Sequence, residues 1–479
     1  MQQVEVRPIP LDRLAAVIPP ERAQRLRADV ARAEAGFGDR TVWHVNATAH
    51  GGGVAEMLQT LLAYGIGAGS DNRWLVLDGD PAFFAVTKRL HNFLHGQPGD
   101  GGGLGPAEHR HYRETLARNA EQLGGLVAPG DLVLLHDPQT AGLAAGLQAA
   151  GAHVAWRCHI GRDTPNDLTQ IGWEFLRGYL GEVEAFVFSL PEYAPDWVEP
   201  ERLVVIPPSI DPFAAKNVEL SPDTVRAVLA ATGLVSGAEA PGEVQFLRRD
   251  GSHGVVRAHA ERGGLLLSGQ PPPLEARLVV QVSRWDRLKD MAGVMTGFAL
   301  LAQDGLPEDV HLVLAGPEVA GVTDDPEGAE VLDECRDLLA RQPDRARGRI
   351  HLVSVPMDDV DENAIIVNAL QRHAYAVVQK SLVEGFGLTV TEAMWKSRPV
   401  LASRIGGIKS QITHERDGLL LDDPYDLDGF ATLLGRLLAD RALAERLGTA
   451  AHRTVVAEFL GDRHLDQYVD LFSRMAAGT

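Results

Sequence analysis

Two glutamates with seven residues between them, Glu384 and Glu392, flank a glycine turn in residues 381–394. This segment carries the most specific chemistry in the chain. Gly385 and Gly387 let the backbone turn tightly and approach a ligand that a Cβ would hold off. A helix expected to begin near Leu388 leaves its first N–H groups unpaired, a seat for a phosphate presented by Phe386, Gly387, Leu388 and Thr389. Glu384, before the turn, can accept hydrogen bonds from sugar hydroxyls. Glu392, about one turn into the helix, can grip a second diol such as a ribose. Phosphate, sugar and ribose within one short segment describe a nucleotide sugar.

Other groups of this kind follow apolar runs. Arg284 and Lys289 stand five apart around a turn, and both cations could converge on one diphosphate and neutralise its charge as it departs. Taken alone, the pair reads more readily as two solvated surface cations; beside the Glu384–Glu392 segment the balance reverses. A glycine run at residues 51–53 precedes a helix expected from Val54. There Gly51, Gly52 and Gly53 could bring backbone N–H groups to a sugar or phosphate, or simply form a tight turn. Glu56 is either an acceptor ligand or a first-turn helix charge. His136-Asp137-Pro138-Gln139 and Trp156-Arg157-Cys158-His159 also follow apolar runs, and a histidine there can bond a sugar hydroxyl. Asp137 can equally cap the next helix. The acidic pairs Asp78/Asp80, Asp324/Asp325 and Asp422/Asp423 read as turns rather than metal ligands, and no essential metal is expected.

The elements that must position these groups are short apolar runs alternating with helical patterns. Runs at 41–45, 74–77, 131–135, 153–156, 185–188 and 203–206 read as buried parallel strands, and the series resumes at 277–282, 310–315, 350–353, 376–378 and 399–402. Two such series predict an α/β fold of two doubly wound, Rossmann-like domains facing a cleft, with ligands at the carboxyl ends of the strands. The expected divisions are 1–211, 212–450 and a helical tail at 451–479 that crosses back to the first domain, with a hinge near 207–211. Residues 235–275 read as a Gly/Ala/Pro-rich insertion without regular strand rhythm, with 242–269, which includes 246–251, as a hairpin near the cleft or an oligomer contact.

Composition bounds the rest. The chain has 479 residues, 45% hydrophobic and 23% charged, enough for two sizeable cores. A net charge of −20 argues against nucleic acid or an anionic membrane as partner. Only six of 45 basic residues are lysines (88, 216, 289, 380, 396 and 409), so a lysine inside a motif is informative. Two cysteines without metal-type spacing, no apolar leader and no long apolar run predict a soluble cytoplasmic protein. A homodimer is the default expectation.

With these residues assembled, the chain resembles the retaining GT-B glycosyltransferases marked by E-x7-E, matched by Glu384 and Glu392, with Arg284 and Lys289 at the family's spacing. Residues 44–56, 156–160 and 379–396 are more closely similar to the glycosyltransferring trehalose synthases and retaining trehalose phosphorylases. The resemblance implies that Arg284 and Lys289 bind the diphosphate, aided by backbone N–H groups of Gly387 to Thr389. It implies that Glu384 holds the donor sugar and Glu392 the ribose, while His159 approaches that sugar from the first domain beside the glycine loop. Glu56, Asp137, Gln139 and Arg157 are the acceptor-side candidates. The implied reaction moves glucose from a nucleoside-diphosphate glucose to glucose, giving α,α-trehalose with retention, without a metal and by attack from the face the diphosphate leaves. Trehalose phosphorolysis, transfer to another acceptor and a non-catalytic sugar-nucleotide-binding module are the alternatives.

Overall fold

The computed structural model describes residues 1–49, 52–238, 242–249, 251–258, 264–319 and 326–478. Gly51, Asp324 and Asp325 lie outside them. The chain forms two compact units, one of Met1–Ser209 with Phe459–Thr479 and one of Ile210–Glu458.

The first unit is built on a seven-stranded sheet of β1 (Gln2–Val4), β2 (Val42–Asn46), β3 (Asn72–Val76), β4 (Leu132–His136), β5 (His153–Cys158), β6 (Ala185–Phe188) and β7 (Leu203–Val205). Their order is β1-β3-β2-β4-β5-β6-β7, parallel except for β1, which runs antiparallel along the β3 edge. The chain leaves β2 toward one edge and returns to β4 toward the other. The topological switch point, where doubly wound sheets bind ligands, therefore lies between the carboxyl ends of β2 and β4.

Period-two alternation divides the first sheet's two faces. Trp43, Val45, Val133, Leu135, Val154 and Trp156 enter one apolar core, while Val42, Leu132, Leu134 and Ala155 enter another with Phe37, Tyr468, Leu471, Phe472 and Met475. The second core is closed by the helices Pro20–Phe37 and Gly461–Ala477. Burying each large apolar side chain of the latter helix contributes roughly 1.5–3 kcal/mol. Arg22 adds a two-pronged bond to Asp462, at 2.7 and 2.6 Å. The helix Arg441–Glu458 stays with the second unit, so the exchange between units falls at Phe459.

The second unit carries β10 (Arg277–Val282), β11 (Val310–Pro317), β12 (Ile350–Val355), β13 (Ala376–Gln379), β14 (Val400–Ser403) and β15 (Leu419–Leu421) after a hairpin of β8 (Val244–Leu247) and β9 (His253–Val256). The six-stranded sheet has the order β12-β11-β10-β13-β14-β15 and is parallel throughout. Its switch point lies between β10 and β13, where the loops carrying Arg284, Lys289 and Glu384 emerge.

Strand rhythm does exist in the insertion, in the β8–β9 hairpin. Arg249 Nε meets Asp361 at 2.6 Å, Arg257 meets Asp358 at 2.6 Å and Glu362 at 2.8 Å, and Arg248 pairs with Asp359. These bonds hold the hairpin against the start of the helix Val360–His373 in its own unit. Four strands (β1, β8, β9 and β15) lie beyond the expected runs; β8 and β9 alternate buried with exposed residues and so form no continuous apolar run.

Candidate functional site

At the switch point of the second sheet, Lys289 Nζ donates to both oxygens of Glu384, at 2.8 and 2.7 Å, and Ser381 Oγ adds a third bond at 3.2 Å. The pair is mostly buried, with side chains 17% and 10% exposed. Beneath it, Gln379 Nε2 donates to Ser283 and Ser381 at 3.0 Å each, joining the loops after β10 and β13. Gln281 Nε2 holds the Lys289 carbonyl at 2.8 Å, and the buried Lys380 pairs with Asp290. Asp290 has a left-handed backbone (φ 48°) and caps the helix Met291–Gln303 by accepting from Gly293 N–H at 3.0 Å.

The glycine turn has the geometry its sequence demands. Gly387 is left-handed (φ 82°) and directly precedes the helix Leu388–Trp395, a conformation that strains other residues. A Cβ on the facing Gly406 would stand 1.9 Å from the Glu384 carbonyl oxygen, so only glycine allows that approach. Gln411 Nε2 donates to the Phe386 carbonyl at 2.5 Å, and Gly407 N–H to that of Gly385 at 2.7 Å. The turn is thus braced from behind, while the first N–H groups of the helix at Leu388 and Thr389 have no helical partners.

Arg284 lies on the same loop as Lys289, nearer its start. Its guanidinium is more than half exposed and pairs with Asp286 at 2.7 Å. The Asp286 carboxylate in turn caps the turn Arg287–Lys289 through Leu288 N–H at 2.8 Å. Glu392 is buried, with Lys216 3.7 Å away. Lys396, on the same helix side, bonds Gln371 at 2.8 Å and the Glu392 carbonyl at 3.1 Å, and burial holds its pKa down to about 7. Lys216, Lys289, Lys380 and Lys396 therefore make polar contacts around the E-x7-E segment or the loop facing it.

The switch point of the first sheet holds a chain of rings. His44 Nδ1 lies 3.2 Å from His136 Nε2, and His136 Nδ1 lies 3.0 Å from His159 Nε2. Arg157 Nε donates to His159 Nδ1 at 3.4 Å. Strand parity explains the grouping, since His44, His136 and Arg157 occupy positions on β2, β4 and β5 that face the C-terminal helix, and His159 continues that parity just past the end of β5. Asp137 is left-handed (φ 65°), and its carboxylate accepts from the His159 N–H at 2.7 Å. That bond replaces the helix cap its sequence allowed. Burial pushes the Asp137 carboxyl up to about 7, against the bond from His159 and the charge of Arg157.

Arg157 is not an acceptor ligand in this arrangement. It is fully buried, directed at Tyr468, at His464 (3.5 Å) and at the Ile206 carbonyl (3.0 Å). His159 likewise has both ring nitrogens engaged inside the protein, leaving its ring edge rather than a free nitrogen for a ligand. Gln139 keeps a buried carbonyl oxygen without a hydrogen-bond partner among the described residues, and Glu56 is exposed. The helix expected from Val54 begins at Gly52, so Gly52 and Gly53 are its first residues rather than a loop. His464 and Tyr468 carried no motif; helical spacing on an apolar face was their only signal. The acidic pairs serve locally: Asp80 caps the helix Pro81–Leu94 and bonds His111 at 2.8 Å, while Asp422 pairs with Arg404. Among the described residues no cluster of three or more His, Cys, Asp or Glu could hold a metal, and no helix is long and apolar enough to cross a membrane.

Residues 44–195 match the family described as trehalose synthase, N-terminal domain, and residues 268–454 match glycosyl transferases group 1. A trehalose synthase of Rubrobacter xylanophilus is 34% identical over 436 residues, covering 91% of this chain and 90% of that protein. A trehalose phosphorylase of Pleurotus pulmonarius is 26% identical, covering 87% of this chain and 54% of its own length. Among solved structures, an α,α-trehalose 6-phosphate synthase of Burkholderia multivorans superimposes with a TM-score of 0.64 at 16% identity, over 92% of this chain and 99% of the other. That likeness establishes the GT-B fold.

Proposed function

We propose, from the premise that this chain belongs to the trehalose synthase family of glycosyltransferases, that it transfers glucose from a nucleoside-diphosphate glucose to glucose, forming α,α-trehalose with retention. The observation that carries the reading is the Lys289–Glu384 pair beside the helix N-terminus at Leu388, at the second sheet's switch point. A cation, a carboxylate and unpaired N–H groups converge there, matching the diphosphate and the hydroxyls of a nucleotide sugar. On donor binding, Glu384 accepts from sugar hydroxyls while Lys289, with Arg284, neutralises the diphosphate. The Lys216–Glu392 pair lies one turn along the same helix, where Glu392 can accept from a ribose.

In the proposed reaction the bond from the anomeric carbon to the diphosphate breaks, and a bond from the acceptor hydroxyl oxygen forms on the same face. The acceptor proton passes to a diphosphate oxygen. The protein positions the partners and stabilises charge as it develops. No protein nucleophile is required, and Lys289 with Arg284 supplies the positive charge a divalent ion would bring. Activity after exhaustive EDTA treatment is therefore expected to stay close to that of the untreated enzyme. A complete loss that Mg²⁺ or Mn²⁺ restores would contradict the metal-free account.

A further inference from the structure

The histidine chain in the first unit has a fixed direction, set by one residue. A guanidinium donates hydrogen bonds and cannot accept them. Because Arg157 Nε faces His159 Nδ1 at 3.4 Å, that nitrogen must be the acceptor, and a neutral His159 carries its proton on Nε2. His159 Nε2 then donates to His136 Nδ1 at 3.0 Å, which places the His136 proton on Nε2. His136 donates in turn to His44 Nδ1 at 3.2 Å. On its other side, Arg157 Nη1 faces His464 Nε2 at 3.5 Å, so His464 carries its proton on Nδ1 and donates to Ser209 Oγ at 2.9 Å.

Around the partly exposed His159 the other members of the network are shut off from solvent. His44, His136, Arg157, His464 and Tyr468 are each at most 3% exposed. The ring planes of His44 and His136 lie 22° apart and those of His136 and His159 13° apart, the near-coplanar edge-to-edge arrangement that in-plane N–H···N bonds require. Burial disfavours a second charge beside Arg157, and each histidine of the chain is held below its ordinary pKa.

We infer that Arg157 is a positioning residue. It fixes the tautomer and ring orientation of His159 and ties that ring to the C-terminal helix through His464 and Tyr468. The C-terminal helix thereby belongs to the construction of the site, although the polypeptide has passed through the whole second unit before reaching it. The effect on turnover rests on the transfer reading above, whereas the proton positions do not.

Two-bond ¹H–¹⁵N correlation spectra of the full, ¹⁵N-labelled chain test the inference directly, with histidines assigned by single substitutions. The expected spectrum has His159, His136 and His44 as Nε2–H tautomers and His464 as Nδ1–H. A proton on His159 Nδ1 in the unsubstituted protein would overturn it, whatever the substrates prove to be. In Arg157→Met, His159 should lose its single tautomer, and kcat should fall about 10- to 100-fold, as for lost orienting partners elsewhere, with little change in donor KM. An Arg157→Met protein that keeps both the wild-type His159 tautomer and wild-type kcat would also overturn it. Should that variant not fold, the spectrum of the unsubstituted chain decides.

Discussion

Replacing Glu384 by glutamine is expected to lower turnover by about 10²- to 10³-fold, the scale of losing one preorganised polar contact to the reacting centre. The substitution keeps the side-chain shape but removes the charge that Lys289 grips with both bonds. Ser381 and Gln379 are themselves held by the loops after β10 and β13, so the glutamine should occupy the same place. Binding of a nucleoside diphosphate should persist, because the helix N-terminus and Lys289 remain. Removing the cation instead, in Lys289→Ala, should weaken diphosphate binding and slow turnover together. The comparison is made by steady-state kinetics and calorimetry with the diphosphate. Wild-type turnover in Glu384→Gln would remove Glu384 from the site.

Acidification is the second large effect. Four histidines of the first unit, the buried His44, His136 and His464 and the partly exposed His159, are held well below an ordinary histidine pKa, His44 to about 3, in each case first by burial, with the charge of Arg157 next for all but His136, where His159 and His44 precede it. A base whose folded pKa is depressed contributes stability that is complete above its unfolded value near 6.5 and is lost as pH falls toward the folded value. Two carboxyls, the buried Asp29 and the partly exposed Asp137, act in the opposite sense. Asp137 is raised to about 7 and Asp29 to about 6, both mainly by burial, so each favours the folded state as the pH drops through these values. Between pH 6 and 4 four groups oppose two, and each uncompensated proton contributes up to about 1.4 kcal/mol per pH unit. The thermal midpoint of the first unit, read from its buried Trp43, Trp74 and Trp156, should be nearly level from pH 8 to 7 and fall steeply below pH 6. A flat midpoint down to pH 4.5 would show that these rings are already charged or solvated.

Both expectations rest on arrangements that the sequence announced unevenly. The central strands were legible because sheets covered on both faces demand continuous apolar runs, and those runs lie at 277–282, 310–315 and 185–188. Glu384, Lys289 and the Gly385–Gly387 turn were legible as chemistry, since glycine, cation and carboxylate follow strand ends. That Lys289 and Glu384 bond each other was not, because the contact joins loops 95 residues apart through the adjacency of β10 and β13. Arg157 was misassigned for a related reason. On a strand buried on both faces, alternation does not distinguish a residue pointing at a ligand from one pointing at a packed helix, and the residues that decide, His464 and Tyr468, lie some 300 positions later. The shared parity of His44, His136, Arg157 and His159 was readable. It gains meaning only once β2, β4 and β5 are known to be neighbours.

The central claim is that this chain moves glucose between a nucleoside diphosphate and glucose. It is tested most directly by following trehalose consumption by NMR, with UDP, ADP, GDP or inorganic phosphate as the only co-substrate. The account predicts that one nucleoside diphosphate gives the corresponding nucleotide glucose with its α configuration kept, and that phosphate alone gives nothing. Glucose 1-phosphate from phosphate alone, or no consumption with any nucleoside diphosphate, would contradict it.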